Sequence, residues 1–187
     1  MEWFEELDQW AAAYLPDLEM AAEEPMSRHT SFRIGGPARR MAFPKRAEQV
    51  VLLVDFARQC GARPLVIGNG TNLLCPDEGL DRLVIDLSAG LTDLEKGQEP
   101  DTIAASCGVS LARLASFACD LGLTGLEFAH GIPGTLGGAL AMNAGAYGGE
   151  MCQVVQGVHV LFPDEGIRLL TGEEMNFRYR GSLLTDR

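Results

Sequence analysis

The segment GIPGTLGGALAMNAGAYGGE, residues 131–150, places seven glycines in twenty positions. It also contains apolar and aromatic side chains that a flexible linker does not need, namely Leu136, Leu140, Met142 and Tyr147. Because glycine has no Cβ, its backbone can approach another body closely. We therefore expect a folded segment whose backbone is accessible at its glycines. Thr135 is predicted to cap a short helix in it, whose exposed N-terminus would favour a phosphate. The alternative is that the glycines only let two halves of the protein pack together.

A second glycine-rich loop, VIGNGTNLL at residues 66–74, follows a predicted strand. Gly68 and Gly70, with Asp86 at the end of the next predicted strand, suggest a Rossmann dinucleotide fingerprint. The third glycine position is Leu73, however, and the following LCPDEGL contains Pro and Gly where that fold needs an uninterrupted helix. Neither tract contains the G-K-[ST] of a Walker A loop. Both nucleotide-binding fingerprints are therefore rejected.

The same loop can still present successive backbone N–H groups to an anion, flanked by the short side chains of Asn69, Thr71 and Asn72. Such a concave nest of amides binds an oxyanion even in an acidic protein, because its donors are fixed and local. The alternative is a simple turn between strands that is rich in Gly and Asn.

Charge and cysteine usage exclude several classes of function. The 187 residues include 15 basic and 26 acidic side chains, a formal net charge of -11, so we expect no binding to nucleic acid or to an anionic membrane. The five cysteines are widely spaced and form no C-x-x-C pair, and the three histidines have no metal-ligand spacing. With an acidic N-terminus where a signal peptide would be basic, these features predict a cytoplasmic protein with reduced thiols and no metal.

Local patterns predict an α+β chain in three parts. Residues 1–22 hold an amphipathic helix with Trp3, Leu7, Trp10 and Tyr14 on one stripe. Residues 23–91 form a small α/β unit with strands at ARRMAFP, RPLVIG and DRLVIDL and a helix at AEQVVLLVDFARQCG. The polar stretch TDLEKGQEPD has no apolar period and marks a boundary, so residues 92–187 form the second unit. There we expect a strand at TIAASC, a helix at SLARLASFACDLG between Ser110 and Gly122, and a hairpin of VVQGVHVLFP with DEGIRLL.

Four segments, taken in order, resemble one family. HTSFRIGGPA, VIGNGTNLL, LEFAHGIPGTLGGALAMNAGAYGGE and FRYRGSLL are similar to the motifs of the UDP-N-acetylenolpyruvoylglucosamine reductase (MurB) family, over a stretch from about Glu24 to Leu184. The resemblance implies an FAD-binding fold of the vanillyl-alcohol-oxidase type, in which two α/β subdomains clasp the flavin. Those subdomains would be residues 23–91 and 92–187.

The resemblance also implies which residues bind FAD. In the first loop these are Ile67, Gly68, Asn69, Gly70, Thr71, Asn72 and Leu73, with the pyrophosphate on residues 68–72. Along the second side of the cofactor they are Gly131, Ile132, Pro133, Gly134, Thr135, Gly138, Asn143 and Ala144. No histidine follows the first glycines, so the flavin is expected to be bound non-covalently.

By the same resemblance, hydride would pass from NADPH to the flavin and then to the enolpyruvyl group of a UDP-sugar, giving UDP-N-acetylmuramate for peptidoglycan synthesis. Arg180 matches the active-site arginine of the family, and Tyr179 matches the neighbouring tyrosine. A fixed guanidinium suits the negative charge that hydride addition places on the substrate.

Members of the family are longer, and a third domain supplies a serine proton donor and a glutamate. This sequence ends at SLLTDR, and Ser182 does not match that serine, so we expect the FAD-binding part without the substrate domain. Two alternatives stay open: a free-standing flavin-binding module without reductase activity, and an interaction protein that keeps the fold without a cofactor.

Overall fold

The computed structural model describes residues 2–185. The end of the second predicted subdomain, residues 186 and 187, lies outside the described residues. Contacts divide the chain into two compact units, of which the first ends at Leu91 and the second begins at Thr92. Within the described part of the chain, no helix is both long and apolar enough to cross a bilayer.

The first unit is built on a four-stranded mixed sheet. Its elements are, in chain order, α1 (Trp3–Tyr14), β1 (Glu19–Pro25), β2 (Pro37–Phe43), α2 (Ala47–Gln59), β3 (Leu65–Ile67) and β4 (Leu80–Asp86). The strand order is β1-β2-β4-β3. The β1–β2 pair is antiparallel, whereas β4 runs parallel to both β2 and β3. The carboxyl ends of β3 and β4 therefore meet at one edge of the sheet.

The centre of this sheet is the most deeply buried part of the unit. Leu83, Val84 and Ile85 of β4 are fully buried, and so are Met41 and Ala42 of β2. By contrast, Val66 in β3 is 50% exposed. The sequence predicted a buried strand there, but β3 is an edge strand and only the face that carries Ile67 is buried, whereas the face that carries Val66 reaches solvent.

Both helices of the first unit form as predicted, and α1 is anchored to α2 and to β2. The Trp10 ring stacks on Phe56 of α2, with ring centroids 4.4 Å apart, and Asp8 accepts hydrogen bonds at 2.6–3.0 Å from Arg40 of β2. The predicted aromatic stripe is only partly correct, because Tyr14 is 70% exposed.

The second unit combines two helices with three two-stranded antiparallel sheets. Its elements are β5 (Leu94–Lys96), β6 (Ile103–Ala105), α3 (Leu111–Asp120), α4 (Leu136–Met142), β7 (Gly145–Ala146), β8 (Gly149–Glu150), β9 (Gly157–Phe162) and β10 (Gly166–Thr171). The sheets are β5–β6, β7–β8 and β9–β10. One buried cluster joins α3, α4 and the chain between them, and it includes Val109, Leu111, Leu114, Phe128, Leu140 and Met151.

The predicted helix signals of this unit act as expected. The Ser110 hydroxyl accepts a hydrogen bond from the Arg113 amide at 3.3 Å, and Gly122 follows α3 with φ +70°. Two strand predictions need correction. The polar stretch 92–101 contains β5, which is held by its pairing with β6, and the strand predicted from Val154 begins only at Gly157.

The packing of α2 yields a stability prediction. Leu53 is fully buried, whereas Leu52, its neighbour on the same helix, is 45% exposed. We expect Leu53→Ala to lower the free energy of unfolding by about 2–5 kcal/mol, because it removes buried methyl groups and leaves a cavity. Leu52→Ala, the matched control, should cost less than about 1 kcal/mol. Urea denaturation of the three proteins measures the difference, and equal losses would contradict this packing.

Candidate functional site

The glycine loop of the first unit, residues 68–72, begins where β3 ends. Ile67 pairs with Asp86 in the β3–β4 ladder, and the Leu87 amide donates to the Ile67 carbonyl at 3.0 Å. The loop therefore lies beside the end of β4. Residues 68–79, all of them described, form loops and turns between the two parallel strands. The strand–helix–strand unit of a Rossmann fold is not formed here.

Residues 29–34 pack directly against the glycine loop. The Ser31 amide donates to the Gly70 carbonyl at 3.2 Å. Gly70 has φ +58°, and a Cβ at this position would collide with the carbonyl oxygen of His29. Both the backbone conformation and the available space therefore require glycine.

The amides of Gly68, Asn69 and Gly70 donate to no acceptor among residues 2–185. Gly68 and Asn69 line a cleft of about 440 Å³ together with residues from two other segments, Arg28, His29, Thr30, Ser31, Arg33, Asp86 and Ser88. Free backbone donors in a glycine loop are the feature that an anion such as a pyrophosphate needs. We refer to the loop of residues 68–70 as the cradle, and its binding of a pyrophosphate stays a prediction.

One carboxylate residue, Asp86, lines this cleft, and it has partners. Asp86, only 6% exposed, accepts hydrogen bonds from the amide and hydroxyl of Ser88 at 2.8 and 2.6 Å. The His29 ring lies between Asp86 Oδ2 at 3.5 Å and Glu24 Oε1 at 3.1 Å. The carboxylate of Asp86 is thus held by neighbours within the first unit.

The sequence did not single out His29, Thr30, Ser31 or Ser88 as site residues. Thr30 and Ser31 belong to HTSFRIGGPA, one of the four segments that carry the family resemblance. Because the polar residues of that segment follow no regular spacing, periodicity could not indicate them as site residues. Only the family motif could.

The start of α4 differs from its prediction. Thr135 does cap the helix, accepting from the Gly138 amide at 3.5 Å. The next two helix amides are already used, because Leu136 donates to the Val109 carbonyl at 2.8 Å and Gly137 to the Cys107 carbonyl at 2.7 Å. The expectation of an exposed N-terminus that favours a phosphate is therefore wrong. Gly137 instead permits close packing, since a Cβ there would lie 3.0 Å from that of Cys107.

The other residues predicted along the cofactor differ in accessibility within the second unit. Gly131, Pro133 and Gly138 are exposed, whereas Ile132, Gly134 and Ala144 are half-buried. Thr135 and Asn143 are buried. The turn of residues 131–134 and Gly138 are thus the more accessible parts of this segment, and their role in binding stays a prediction.

A further cleft of about 450 Å³ lies at the β7–β8 hairpin. Gly149 rests on the ring of Phe128, where a Cβ would collide with it, and Tyr147 at the tip is 97% exposed. Glu127 accepts a hydrogen bond from the Gly125 amide at 2.8 Å. This cleft was not predicted from the sequence, which treated Tyr147 only as a packing residue.

Tyr179 and Arg180 form the tip of a tight turn. The amide of Arg178 donates to the Gly181 carbonyl at 3.0 Å, and the Gly181 amide donates back to the Arg178 carbonyl at 3.1 Å. Arg180 has φ +55° and is exposed, and Tyr179 is 91% exposed. No carboxylate among residues 2–185 pairs with the Arg180 guanidinium, so within its unit this cation is free to bind an anion.

The two cysteines near the second glycine segment, Cys107 and Cys152, are not activated as thiolates. Burial raises the pKa of the Cys107 thiol. The hydrogen bond from Cys152 to Glu150, with a smaller contribution from burial, raises the pKa of the Cys152 thiol. Within the described chain, no cluster of His, Cys, Asp and Glu is arranged to hold a metal ion.

Comparison with known proteins assigns the class. The family described as "FAD binding domain" matches residues 38–170, which include β2 to β4, the glycine loop and α4. The chain belongs to this family of FAD-binding domains.

Among curated proteins, the chain is similar to a group of reductases. The chain is 44% identical over 173 residues to the UDP-N-acetylenolpyruvoylglucosamine reductase of Caldanaerobacter subterraneus subsp. tengcongensis, covering 92% of this chain and 56% of the relative. It is also 44% identical over 166 residues to the reductase of the same name from Bacillus subtilis, covering 89% and 54%. The chain thus spans about half the length of these curated relatives and fits their N-terminal FAD-binding part.

Solved structures agree with this fold. The UDP-N-acetylenolpyruvylglucosamine reductase (MurB) of Thermus caldophilus superposes with a TM-score of 0.68 at 33% identity, covering 88% of this chain and 56% of that one. An alkyldihydroxyacetonephosphate synthase superposes with a TM-score of 0.66 at 20% identity, covering 88% and 38%. The second likeness shows the fold alone, and together they confirm the predicted flavoprotein fold.

The clash at Gly70 gives a test of the cradle. We expect Gly70→Ala to weaken FAD binding about tenfold or more, because the new Cβ displaces the His29 carbonyl and the loop amides with it. Gly61→Ala is the matched control: Gly61 has φ +77°, but no heavy atom lies within 4 Å of its Cβ position. It carries the backbone penalty without the clash. Calorimetric titration with FAD separates the two effects, and equal affinities in both variants would argue against the cradle.

Proposed function

We propose that this chain is the FAD-binding portion of an NADPH-dependent reductase that converts UDP-N-acetylglucosamine enolpyruvate to UDP-N-acetylmuramate in peptidoglycan synthesis. The observation that carries the proposal is the glycine loop. Its amides at residues 68–70 lack acceptors among residues 2–185, and Gly70 has no room for a side chain. The 44% identity to reductases of this name supports the choice of reaction.

In this proposal the amides of residues 68–72 hold the pyrophosphate of FAD, and the exposed turn at residues 131–134 lies along another part of the cofactor. Fixed backbone donors suit this role because they need no reorganisation when the anion binds. The bound flavin supplies hydride transfer. The chain's own residues bind and orient it and determine which charges lie near it.

Arg180 is proposed to stabilise the negative charge that develops on the substrate carboxylate and its neighbouring carbon. Its guanidinium is permanently charged and has no carboxylate partner among residues 2–185. A cation that is already neutralised by a protein carboxylate would contribute less, because the pair would have to be broken first. Tyr179, on the same tip, is proposed to line the site beside it.

The substrate partner in this proposal is a UDP-sugar, and the hydride donor is NADPH. A cytoplasmic location belongs to the proposal as well, since both compounds and reduced thiols are found there. The five cysteines are free thiols in this structure.

The choice of flavin can be tested directly. FAD carries a pyrophosphate and an adenosine that FMN lacks, so we expect FAD to bind at least about tenfold more tightly than FMN. Gly70→Ala should reduce this preference, because it acts on the pyrophosphate cradle. Calorimetric titrations of the wild-type chain and of the variant, each with FAD and with FMN, give the four dissociation constants. Equal affinity of the wild type for FAD and FMN would contradict the proposal.

The role of Arg180 predicts a split between the two half-reactions. In a longer form of the protein that includes the substrate domain, Arg180→Ala should leave FAD binding and flavin reduction by NADPH nearly unchanged. It should slow reoxidation of the reduced flavin by the enolpyruvyl substrate about 100-fold, the usual effect of losing a fixed charge-stabilising group. Arg168→Ala is the matched control, since its exposed guanidinium is paired with Glu165 at 2.6 Å in the same unit.

Anaerobic stopped-flow absorbance measures both half-reactions. An equal decrease of the reoxidation rate in Arg180→Ala and Arg168→Ala would exclude a specific role for Arg180. A longer form with the substrate domain that binds FAD but is not reoxidised by the substrate would instead favour the free-standing flavin-binding module.

A further inference from the structure

Asn143 ends α4 in the left-handed conformation, with φ 43° and ψ 52°, and is only 7% exposed. Asparagine is one of the few residues other than glycine that tolerate this conformation. Its buried side-chain amide is engaged by three partners. Nδ2 donates to Glu150 Oε2 at 3.1 Å and to the Arg178 carbonyl at 3.4 Å, and Oδ1 accepts from the Cys152 amide at 3.0 Å.

The Arg178 carbonyl is the oxygen that also closes the turn of residues 178–181, because it accepts the hydrogen bond of the Gly181 amide. A carbonyl oxygen has two lone pairs, and these two donors use both. Asn143 therefore fixes the position of the peptide group from which the Tyr179–Arg180 tip projects.

A second bond holds the other side of the same turn. Ser182 is fully buried, and its hydroxyl donates to the Ala141 carbonyl at 3.0 Å. Ala141 lies two residues before Asn143, so both bonds connect the turn to the last residues of α4. The tip is exposed, but its two stems are anchored to one helix end.

We infer that Asn143 is a positioning residue for Arg180. This inference rests on the proposed function of Arg180 and deepens it. The three bonds need a side chain with two donors and one acceptor, which an amide provides and a carboxylate does not. Aspartate at this position would face both Glu150 and a carbonyl oxygen. The polar groups of Asn143 are thus used to hold the turn, whereas a contact between Asn143 and the cofactor stays a prediction from the resemblance.

Asn143→Gly isolates the side chain, because glycine adopts the same backbone conformation without strain. Asn176→Gly is the matched control: Asn176 also has positive φ, 48°, and is exposed. In the FAD-free chain, we expect Asn143→Gly to speed amide hydrogen exchange at Gly181 about fivefold or more, as loss of a buried hydrogen bond predicts. Asn176→Gly should leave the exchange at Gly181 unchanged.

Unchanged exchange at Gly181 in Asn143→Gly would overturn the inference. If that variant unfolds, Asn143→Asp takes its place with the same expectation, because it keeps the acceptor and loses both donors.

A second readout tests whether the anchored turn serves Arg180. Sulfite adds reversibly to oxidised flavins, and a nearby cation favours the anionic product, so loss of visible flavin absorbance reports the local positive charge. In the FAD-loaded chain we expect weaker sulfite binding in Arg180→Ala and in Asn143→Gly. The double variant should be no weaker than Arg180→Ala alone. The positioning role would be overturned if Arg180→Ala weakens sulfite binding and Asn143→Gly leaves it unchanged. If Arg180→Ala has no effect, the proposed role of Arg180 fails, and the exchange experiment alone decides whether Asn143 anchors the turn.

Discussion

The parallel pairing of β4 with β3 is the interaction on which the first unit depends. β4 lies inside the sheet, and its residues 83–85 are fully buried. Because the two strands run in the same direction, the loop after Ile67 and the carboxylate of Asp86 emerge at one edge. The apolar centre of the sheet thus fixes where the glycine loop begins, and the segment around His29 then fixes its shape through Gly70.

The two glycine segments resemble each other in composition but use their backbones in opposite ways. In the loop at residues 68–70 the amides have no acceptor within the described part of the chain, which is what the proposed anion site requires. At the start of α4, the Leu136 and Gly137 amides are bound to the carbonyls of Val109 and Cys107. In the second segment the absence of a side chain permits packing within the protein. Whether a glycine amide faces a ligand or a carbonyl depends on a partner that is distant in sequence.

This dependence explains which features the sequence could predict. The ends of α3 and α4 were predictable because Ser110, Gly122 and Thr135 act on their own neighbours. The strand β1 was missed: Glu19–Pro25 has neither alternating polarity nor strong strand formers, and it is ordered by pairing with β2. β5 was missed for the same reason. The side chains around the first cleft come from separate segments, so only the family motifs indicated them. The assignment of residues 23–91 and 92–187 as FAD-binding subdomains, and the roles of the individual site residues, stay predictions.

In the proposed role of Arg180, a flexible side chain would act as a fixed charge. An arginine on an ordinary loop loses backbone and side-chain freedom when it binds an anion, and this cost lowers the affinity. Here the turn closes on itself through Arg178 and Gly181, and its two stems are bound to the end of α4 by Asn143 and Ser182. The backbone entropy is therefore already lost when the protein folds, and not when the anion binds. What remains is the ordering of one side chain, which suits a group that must stabilise charge as soon as it forms.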